Sequence, residues 1–197
     1  MISIFDYGAG NLRSVQNTLG AIGAEYELVR TPEALRLATK IILPGVGHFG
    51  QMMRAVDALG VREALKDAIR AGVPFLGICL GLQALFTESE EAPEERGLGI
   101  FAGSVRRFQG EMRIPHMGWN QLEPLRASRL LQRTGERPFV YFAHSYYVPV
   151  TPATAAICEY SVPYTAALEQ DNVCGVQFHP EKSGELGLRV VRNFVES

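Results

Sequence analysis

The chain has 197 residues, 47% of them hydrophobic, and a net charge of −2, enough apolar content for one packed core and too little positive charge for a polyanion-binding surface. Three cysteines with no CxxC pair and four scattered histidines argue against a disulfide scaffold and a zinc site. With no apolar stretch near the roughly 20 residues that span a bilayer, and no basic leader before the first strand, the expectation is a soluble cytoplasmic protein of one domain over residues 1–197, without metal, cofactor, nucleic-acid or membrane partner.

The first half alternates strand and helix. Strands are expected at Ile2 to Phe5, Glu25 to Val29, Ile41 to Leu43 and Val73 to Ile78. Helices are expected at Leu12 to Ile22, at Pro32 to Ala38 behind a Thr31 cap, and over most of Met52 to Ala71 with a break near Gly60. Leu80 to Thr87 reads as a further helix, with Leu82, Leu85 and Phe86 at helical spacing. Glu88 to Arg96 reads as a mobile acidic loop. The second half is strand-rich: Ser104 to Phe108, Phe139 to Phe142, Ala155 to Tyr160, Tyr164 to Glu169 and Val173 to Phe178, with hairpins at 161–163 and 170–172 and a last helix from Leu186 to Val195. The fold class that follows is α/β: a doubly wound, mostly parallel sheet, with antiparallel strands added in the second half.

Gly77-Ile78-Cys79-Leu80-Gly81 lies between an apolar strand and a helix, the pattern of a nucleophile elbow. Its glycines remove side chains that would clash at a strained turn. A free cysteine is more often a small buried hydrophobe, the reading given to Cys158 and Cys174; the elbow reverses that preference for Cys79. A helix N-terminus beside the sulfur would favour thiolate. His179-Pro180-Glu181 follows the strand Val173 to Phe178. In an extended segment His179 and Glu181 point the same way, so the acid can orient the imidazole and stabilise the imidazolium. Cys79, His179 and Glu181 form the candidate triad, and in such sheets sites lie beyond the carboxyl ends of strands.

Pro44-Gly45-Val46-Gly47 follows a neighbouring strand. Acyl chemistry needs donors aimed at the developing oxyanion. The Val46 or Gly47 amide is assigned one such role and the Leu80 amide the other. Tyr7-Gly8-Ala9-Gly10-Asn11-Leu12-Arg13 starts like a dinucleotide fingerprint, but Arg13 replaces its third glycine, and no nucleotide is expected.

Gly77 to Gln83 together with Gln177-Phe178-His179-Pro180-Glu181 resembles the class I (triad) glutamine amidotransferases. Asp6 to Val15, Pro44 to Gly47, Pro115-His116-Met117-Gly118-Trp119-Asn120, His144-Ser145-Tyr146 and Pro180-Glu181-Lys182-Ser183 are similar to the branch that serves as glutaminase subunits of imidazole glycerol phosphate synthase. The resemblance implies that Cys79 attacks the side-chain amide of glutamine, that His179 shuttles protons, and that Glu181 holds His179. It implies that Gln83, Glu91, Ser145 and Tyr146 bind glutamine, with Glu88, Glu90, Glu94 and Glu95 as alternative registers for Glu91. It also implies a heterodimer with a (β/α)8-barrel cyclase of histidine biosynthesis, which receives the ammonia. Asn11, Arg13, Trp119, Tyr141 and Lys182 are the candidate docking residues, Trp119 suiting either an interface or a core.

Ammonia released into neutral water becomes ammonium and stops being a nucleophile, and the chain has no room for a synthase of its own. Both points argue for a partner over the mouth of the site. Val46 between two glycines suits a peptide that reorients, so the oxyanion loop is expected to form fully only when the partner holds its acceptor. The alternatives are a glutaminase subunit of another synthase such as one of the vitamin B6 pathway, a cysteine peptidase or deglycase on a related fold, and a non-catalytic regulatory subunit.

Overall fold

The computed structural model describes residues 1–8 and 11–197. Ala9 and Gly10, in the middle of the glycine segment discussed above, lie outside them. The first half runs β1 (Ile2–Phe5), α1 (Leu12–Ala21), β2 (Tyr26–Val29), α2 (Pro32–Leu37), β3 (Ile41–Gly45), α3 (Phe49–Ala58), α4 (Arg62–Arg70), β4 (Phe75–Cys79) and α5 (Leu80–Gln83). Thr31 caps α2 as expected, its hydroxyl accepting from the Ala34 N–H at 3.3 Å. The second half adds β5 (Phe86–Ser89), β6 (Phe101–Arg107), β7 (His116–Gln121), β8 (Glu123–Pro124), β9 (Phe139–His144), β10 (Tyr146–Tyr147), β11 (Thr154–Glu159), β12 (Pro163–Gln170) and β13 (Val173–Val176). A 3₁₀ turn (Pro180–Lys182) and α6 (Gly184–Glu196) follow.

Eight strands form the main sheet in the order β2-β1-β3-β4-β13-β12-β11-β8. The first five are mutually parallel; β12 and β11 extend them antiparallel through the two expected hairpins, and β8 pairs antiparallel with β11 at the edge. Successive residues of a strand face opposite sides, so a sheet covered on both faces needs apolar residues at every position. That is what β1, β3 and β4 supply. Phe5, Ile41, Leu43 and Phe75 join one buried cluster, while Ile4, Ile42, Leu76 and Ile78 join the other.

Three expectations are corrected. The helix from Leu80 to Thr87 is a single turn, and Phe86 to Ser89 is strand β5, parallel to β6. The carbonyls that a longer helix would use are claimed by a returning segment: Ala84 accepts from the Leu98 N–H at 2.7 Å and Leu85 from the Ile100 N–H at 2.8 Å. The acidic segment expected to be mobile is tied down, with Ala92 buried, Arg54 paired to Glu95 at 2.8 Å, and a Glu91 oxygen on the Phe49 N–H at 2.7 Å. Finally, β7 pairs antiparallel with β9 where no strand was expected; Pro115 and Gly118 had masked its alternation. No helix among the described residues is long and apolar enough to cross a membrane.

Candidate active site

Cys79 ends β4 with φ 54° and ψ −105°, a left-handed backbone that a non-glycine residue adopts only when its surroundings impose it. The surroundings are tight. A Cβ on Gly81 would overlap the Leu43 carbonyl oxygen, and one on Gly77 would sit 2.5 Å from the Gly81 carbonyl oxygen. The elbow therefore exists because the chain is glycine at these two positions. The helix behind it has only four residues, so the macrodipole expected to favour thiolate is small.

β13 pairs with β4 in register, Val176 opposite Ile78, which carries the following segment to the elbow. His179 keeps extended backbone, φ −100° and ψ 97°, but Pro180 to Lys182 form a 3₁₀ turn rather than continuing extended. Proline is accommodated as the first residue of a helical turn, where no N–H is needed. The side chains still meet: His179 Nδ1 lies 2.8 Å from Glu181 Oε1, with both side chains almost fully buried. Burial alone would lower the His179 pKa. Hydrogen bonding to the Cys79 sulfur and to Glu181, with their charges, outweighs it and pushes the value up to about 10. Glu181 Oε2 is buried with no hydrogen-bond partner among the described residues.

A cavity of about 190 Å³ opens over the sulfur. Val46, Gly47, Cys79, Leu80, Gln83, Glu91, Ser145, Tyr146 and His179 all border it, as do His144 and Met117, so every expected catalytic, oxyanion and glutamine-binding residue except Glu181 is gathered there. The neighbours of Glu91 are otherwise placed. Glu88 pairs with Arg96, Glu90 accepts from the Arg107 N–H, Glu95 pairs with Arg54, and Glu94 is exposed. A roomier groove of about 610 Å³ lies by Arg126 and Arg129, but it holds no nucleophile. Its arginines are spent on structure: Arg126 donates to the Thr154 and Ala153 carbonyls, and Arg129 pairs with Glu169 at 2.8 Å. Among the described residues, no group of three or more His, Cys, Asp or Glu side chains could hold a metal ion.

Several residues at the site stand in the quoted motifs but had no role assigned from the sequence. Gln177 is fully buried and donates from Nε2 to the Cys79 sulfur at 3.5 Å. The Tyr7 hydroxyl accepts from the Val46 N–H and donates to the Val46 carbonyl, both at 3.3 Å. His144 and His116 flank the Tyr164 hydroxyl, at 3.3 and 3.1 Å. Burial lowers His144 to about 3 and His116 to about 4, so both stay neutral. A neutral imidazole donates from one nitrogen and accepts at the other. His144 Nδ1 must donate to the Tyr146 carbonyl, 2.8 Å away, so Nε2 accepts from Tyr164. Cys158 and Cys174 fit their reading as inert core residues, burial pushing them up to about 11 and about 12.

Of the five candidate docking residues, three form one patch. Trp119 is 56% exposed and sits opposite Tyr141 across β7 and β9, their rings T-shaped at 6.1 Å. Lys182 Nζ lies 5.6 Å from the centre of the Tyr141 ring. Exposure decides against a core role for Trp119. Asn11 and Arg13 lie at the start of α1, which packs against the 3₁₀ turn that carries Lys182.

Residues 3–197 match the family model for glutamine amidotransferase class-I. The imidazole glycerol phosphate synthase subunit HisH of Methanothermobacter thermautotrophicus is 49% identical over 197 residues, covering 100% of this chain and 98% of the relative. The chain belongs to the class-I glutamine amidotransferases, in the HisH subunit family. The HisH subunit of Thermococcus kodakarensis is 46% identical over 98% of both chains, and that of Desulfitobacterium hafniense 45% identical over 98% of this chain and 93% of the relative. Among solved structures, a glutamine amidotransferase superposes with a TM-score of 0.78 at 21% identity, covering 99% of this chain and 97% of that one. PurLQS from Thermotoga maritima gives 0.76 at 22% identity, with the same coverage. At such identities the structural likeness speaks for the shared α/β fold. As a member of the HisH family, this glutamine amidotransferase is an enzyme subunit of histidine biosynthesis.

Proposed function

We propose that this chain hydrolyses glutamine to glutamate and ammonia on a Cys79-His179-Glu181 triad. In this reading it works in the cytoplasm as one domain and passes the ammonia to a (β/α)8-barrel cyclase that makes imidazole glycerol phosphate. The observation that carries the reading is the meeting of sulfur and raised imidazole at one small cavity, with the buried Glu181 carboxylate bonded to that imidazole.

The chemistry follows from the protonation states. With its pKa raised to about 10, His179 rests as imidazolium beside the Cys79 sulfur, which reacts as thiolate. The thiolate attacks the side-chain amide carbon and the C–S bond forms. Negative charge collects on oxygen, facing amides of the 46–47 loop and of Leu80. The C–N bond then breaks, and His179 gives its proton to the leaving nitrogen. Water attacks the thioester, His179 takes a proton from it, and the C–S bond breaks to release glutamate and restore thiolate. Glu181 keeps the imidazole oriented in both halves. Both Nε2 hydrogens of Gln83 are taken, by the Tyr146 carbonyl at 2.9 Å and Gln177 Oε1 at 3.1 Å, so it meets glutamine through Oε1. Glu91, Ser145 and Tyr146 line the part of the cavity suited to the ammonium and carboxylate of the substrate.

Docking is assigned to the exposed face of β7 and β9, where Met117, Trp119 and Phe139 are more than half exposed beside Tyr141 and Lys182, with Asn11 and Arg13 at its margin. Met117 belongs both to this face and to the rim of the cavity, so a barrel seated here covers the exit. Because Tyr7 holds the Val46 N–H, the loop offers that amide to an oxyanion only after a rearrangement, which the acceptor-loaded partner is proposed to drive. Glutamate release is to be measured from the chain alone, with the cyclase, and with the cyclase plus acceptor ligand. Stepwise stimulation supports the assignment; equal rates in all three sink the gating, and no release in any sinks the activity.

A further inference from the structure

Gln177 is an amide with no exposed surface, in a segment otherwise made of Val173, Cys174, Gly175, Val176 and Phe178. Burying an amide is costly unless its groups are bonded. Among the described residues, its side-chain bonds lead to Gln83 and Cys79. The orientation follows by elimination. The Tyr146 carbonyl can only accept, so the Gln83 atom 2.9 Å from it is the amide nitrogen. That nitrogen also reaches Gln177, so the Gln177 atom facing it at 3.1 Å is the oxygen. The remaining end of Gln177, its NH₂, therefore faces the Cys79 sulfur at 3.5 Å. Nothing on this path can be turned over without leaving two donors, or two acceptors, face to face.

We infer that Gln177 is a catalytic residue of the proposed glutaminase reaction, donating a hydrogen bond to the Cys79 thiolate both before attack and when sulfur leaves the thioester. The inference rests on the reading of Cys79 as nucleophile and deepens it. A donor favours the charged form of its acceptor. Here it is needed because the helix behind Cys79 is one turn long and its macrodipole is correspondingly small. His179 faces the sulfur as an imidazolium at rest, but it loses its proton to the leaving nitrogen. The Gln177 N–H is the charge-independent contact that stays. A hydrogen bond to a charged group is worth about one to two powers of ten in an equilibrium or rate.

The test uses the full chain and iodoacetamide as probe, with each cysteine followed by mass spectrometry across pH. In the parent chain Cys79 labels first, because Cys158 and Cys174 are held as thiols. Gln177→Glu keeps the acceptor for Gln83 but replaces the donor with negative charge. Gln177→Met keeps the length and removes both. Both are expected to move the Cys79 labelling profile to higher pH and to lower kcat for glutamine by about tenfold to a hundredfold, with KM less affected. In the unmutated chain the Gln177 side-chain amide proton should shift along the Cys79 labelling profile, a readout that holds even where a variant fails to fold. Variant profiles that coincide with the parent, or an amide resonance indifferent to that titration, overturn the role of Gln177 and leave the nucleophile standing. A parent chain in which Cys79 labels no faster than Cys158 overturns the nucleophile assignment itself.

Discussion

The hydroxyl of Tyr7 is bonded to both polar groups of Val46, accepting from its N–H and donating to its carbonyl at 3.3 Å each. A phenol can do both only while protonated. Burial, opposed by the Val46 bond and aided by the neighbouring Cys79 charge, raises Tyr7 to about 12, so the clamp is intact at any working pH. Opening the Val46 peptide toward the oxyanion means breaking both bonds. Tyr7→Phe removes them while keeping the ring. Glutamine hydrolysis by the chain alone should rise by about tenfold, the size of two neutral hydrogen bonds of about 1 kcal/mol each, reduced by imperfect coupling. Stimulation by the acceptor-loaded partner should shrink by the same factor. A variant with parental or lower basal rate would show that Tyr7 supports the productive loop instead of restraining it.

Cys79→Ala and His179→Ala should each abolish glutamate release while the complex still makes product from added ammonium salt at high pH. Those substitutions remove the chemistry that generates ammonia and leave the docking face untouched. Loss of the ammonia-dependent reaction would mean that the triad, or the fold around it, acts on the partner as well.

The contrast between Cys79 and Tyr7 marks what the sequence made legible. The elbow and the His179-Pro180-Glu181 step are local: glycine spacing, apolar runs and a two-residue offset carry them, and the extended-versus-3₁₀ error did not separate imidazole from acid. Tyr7 and Val46 are 39 residues apart, and nothing in either neighbourhood announces the contact. Gln177 did carry a signal, an amide inside the apolar run from Val173 to Phe178, but its partner Gln83 is 94 residues away. The length of α5 was decided by Leu98 and Ile100 taking the carbonyls of Ala84 and Leu85, a tertiary competition that helical spacing cannot register. The β7–β9 ribbon was half legible: Phe139 to Phe142 is a run of aromatic and β-branched residues, but its partner strand is hidden by Pro115 and Gly118.

Stability should fall on both sides of neutrality, for opposite reasons. His116 and His144 are depressed to about 4 and about 3 in the folded chain, against about 6.5 unfolded. Their contribution is fully present above about pH 6.5 and is lost as pH falls toward 4 and then 3, because the unfolded chain binds the protons. At pH 5 this amounts to about 2 kcal/mol per histidine. His179 is raised to about 10, so its contribution is present below about pH 6.5 and is lost as pH climbs through 10. Urea unfolding across pH 4 to 10 should therefore give a dome. His144→Gln should flatten the acid limb and Cys79→Ala the alkaline one. A His144→Gln chain with an unchanged acid limb would place a proton on His144 in the folded state.

Trp119→Ala should change the stability of the isolated chain by less than about 0.5 kcal/mol, since the ring is 56% exposed, yet weaken capture by the barrel cyclase by about tenfold to a hundredfold. Tyr141→Ala should do the same through loss of the ring that holds both Trp119 and Lys182. Calorimetric titration of the parent and both variants measures it. Undiminished affinity would move the docking face away from β7 and β9.

Gly81→Ala tests the elbow without touching a functional group. The added methyl would overlap the Leu43 carbonyl oxygen, and β3 cannot yield easily because Gly45 already packs so closely on the elbow that its own Cβ would stand 2.7 Å from Leu80 Cβ. Relief must come from moving β4 away from β3, which opens the register that sets Gly45 opposite Cys79. The expected cost is more than about 3 kcal/mol, with selective labelling of Cys79 lost before global unfolding. Gly20→Ala is the matched control. Gly20 lies in α1 with open space around its Cβ position, and alanine there should stabilise the chain by about 0.5–1 kcal/mol through helix propensity and a less flexible unfolded state. Thermal melts of the two variants should move in opposite directions. A Gly81→Ala chain melting with the parent and still labelling at Cys79 would show that the turn has room the geometry denies it.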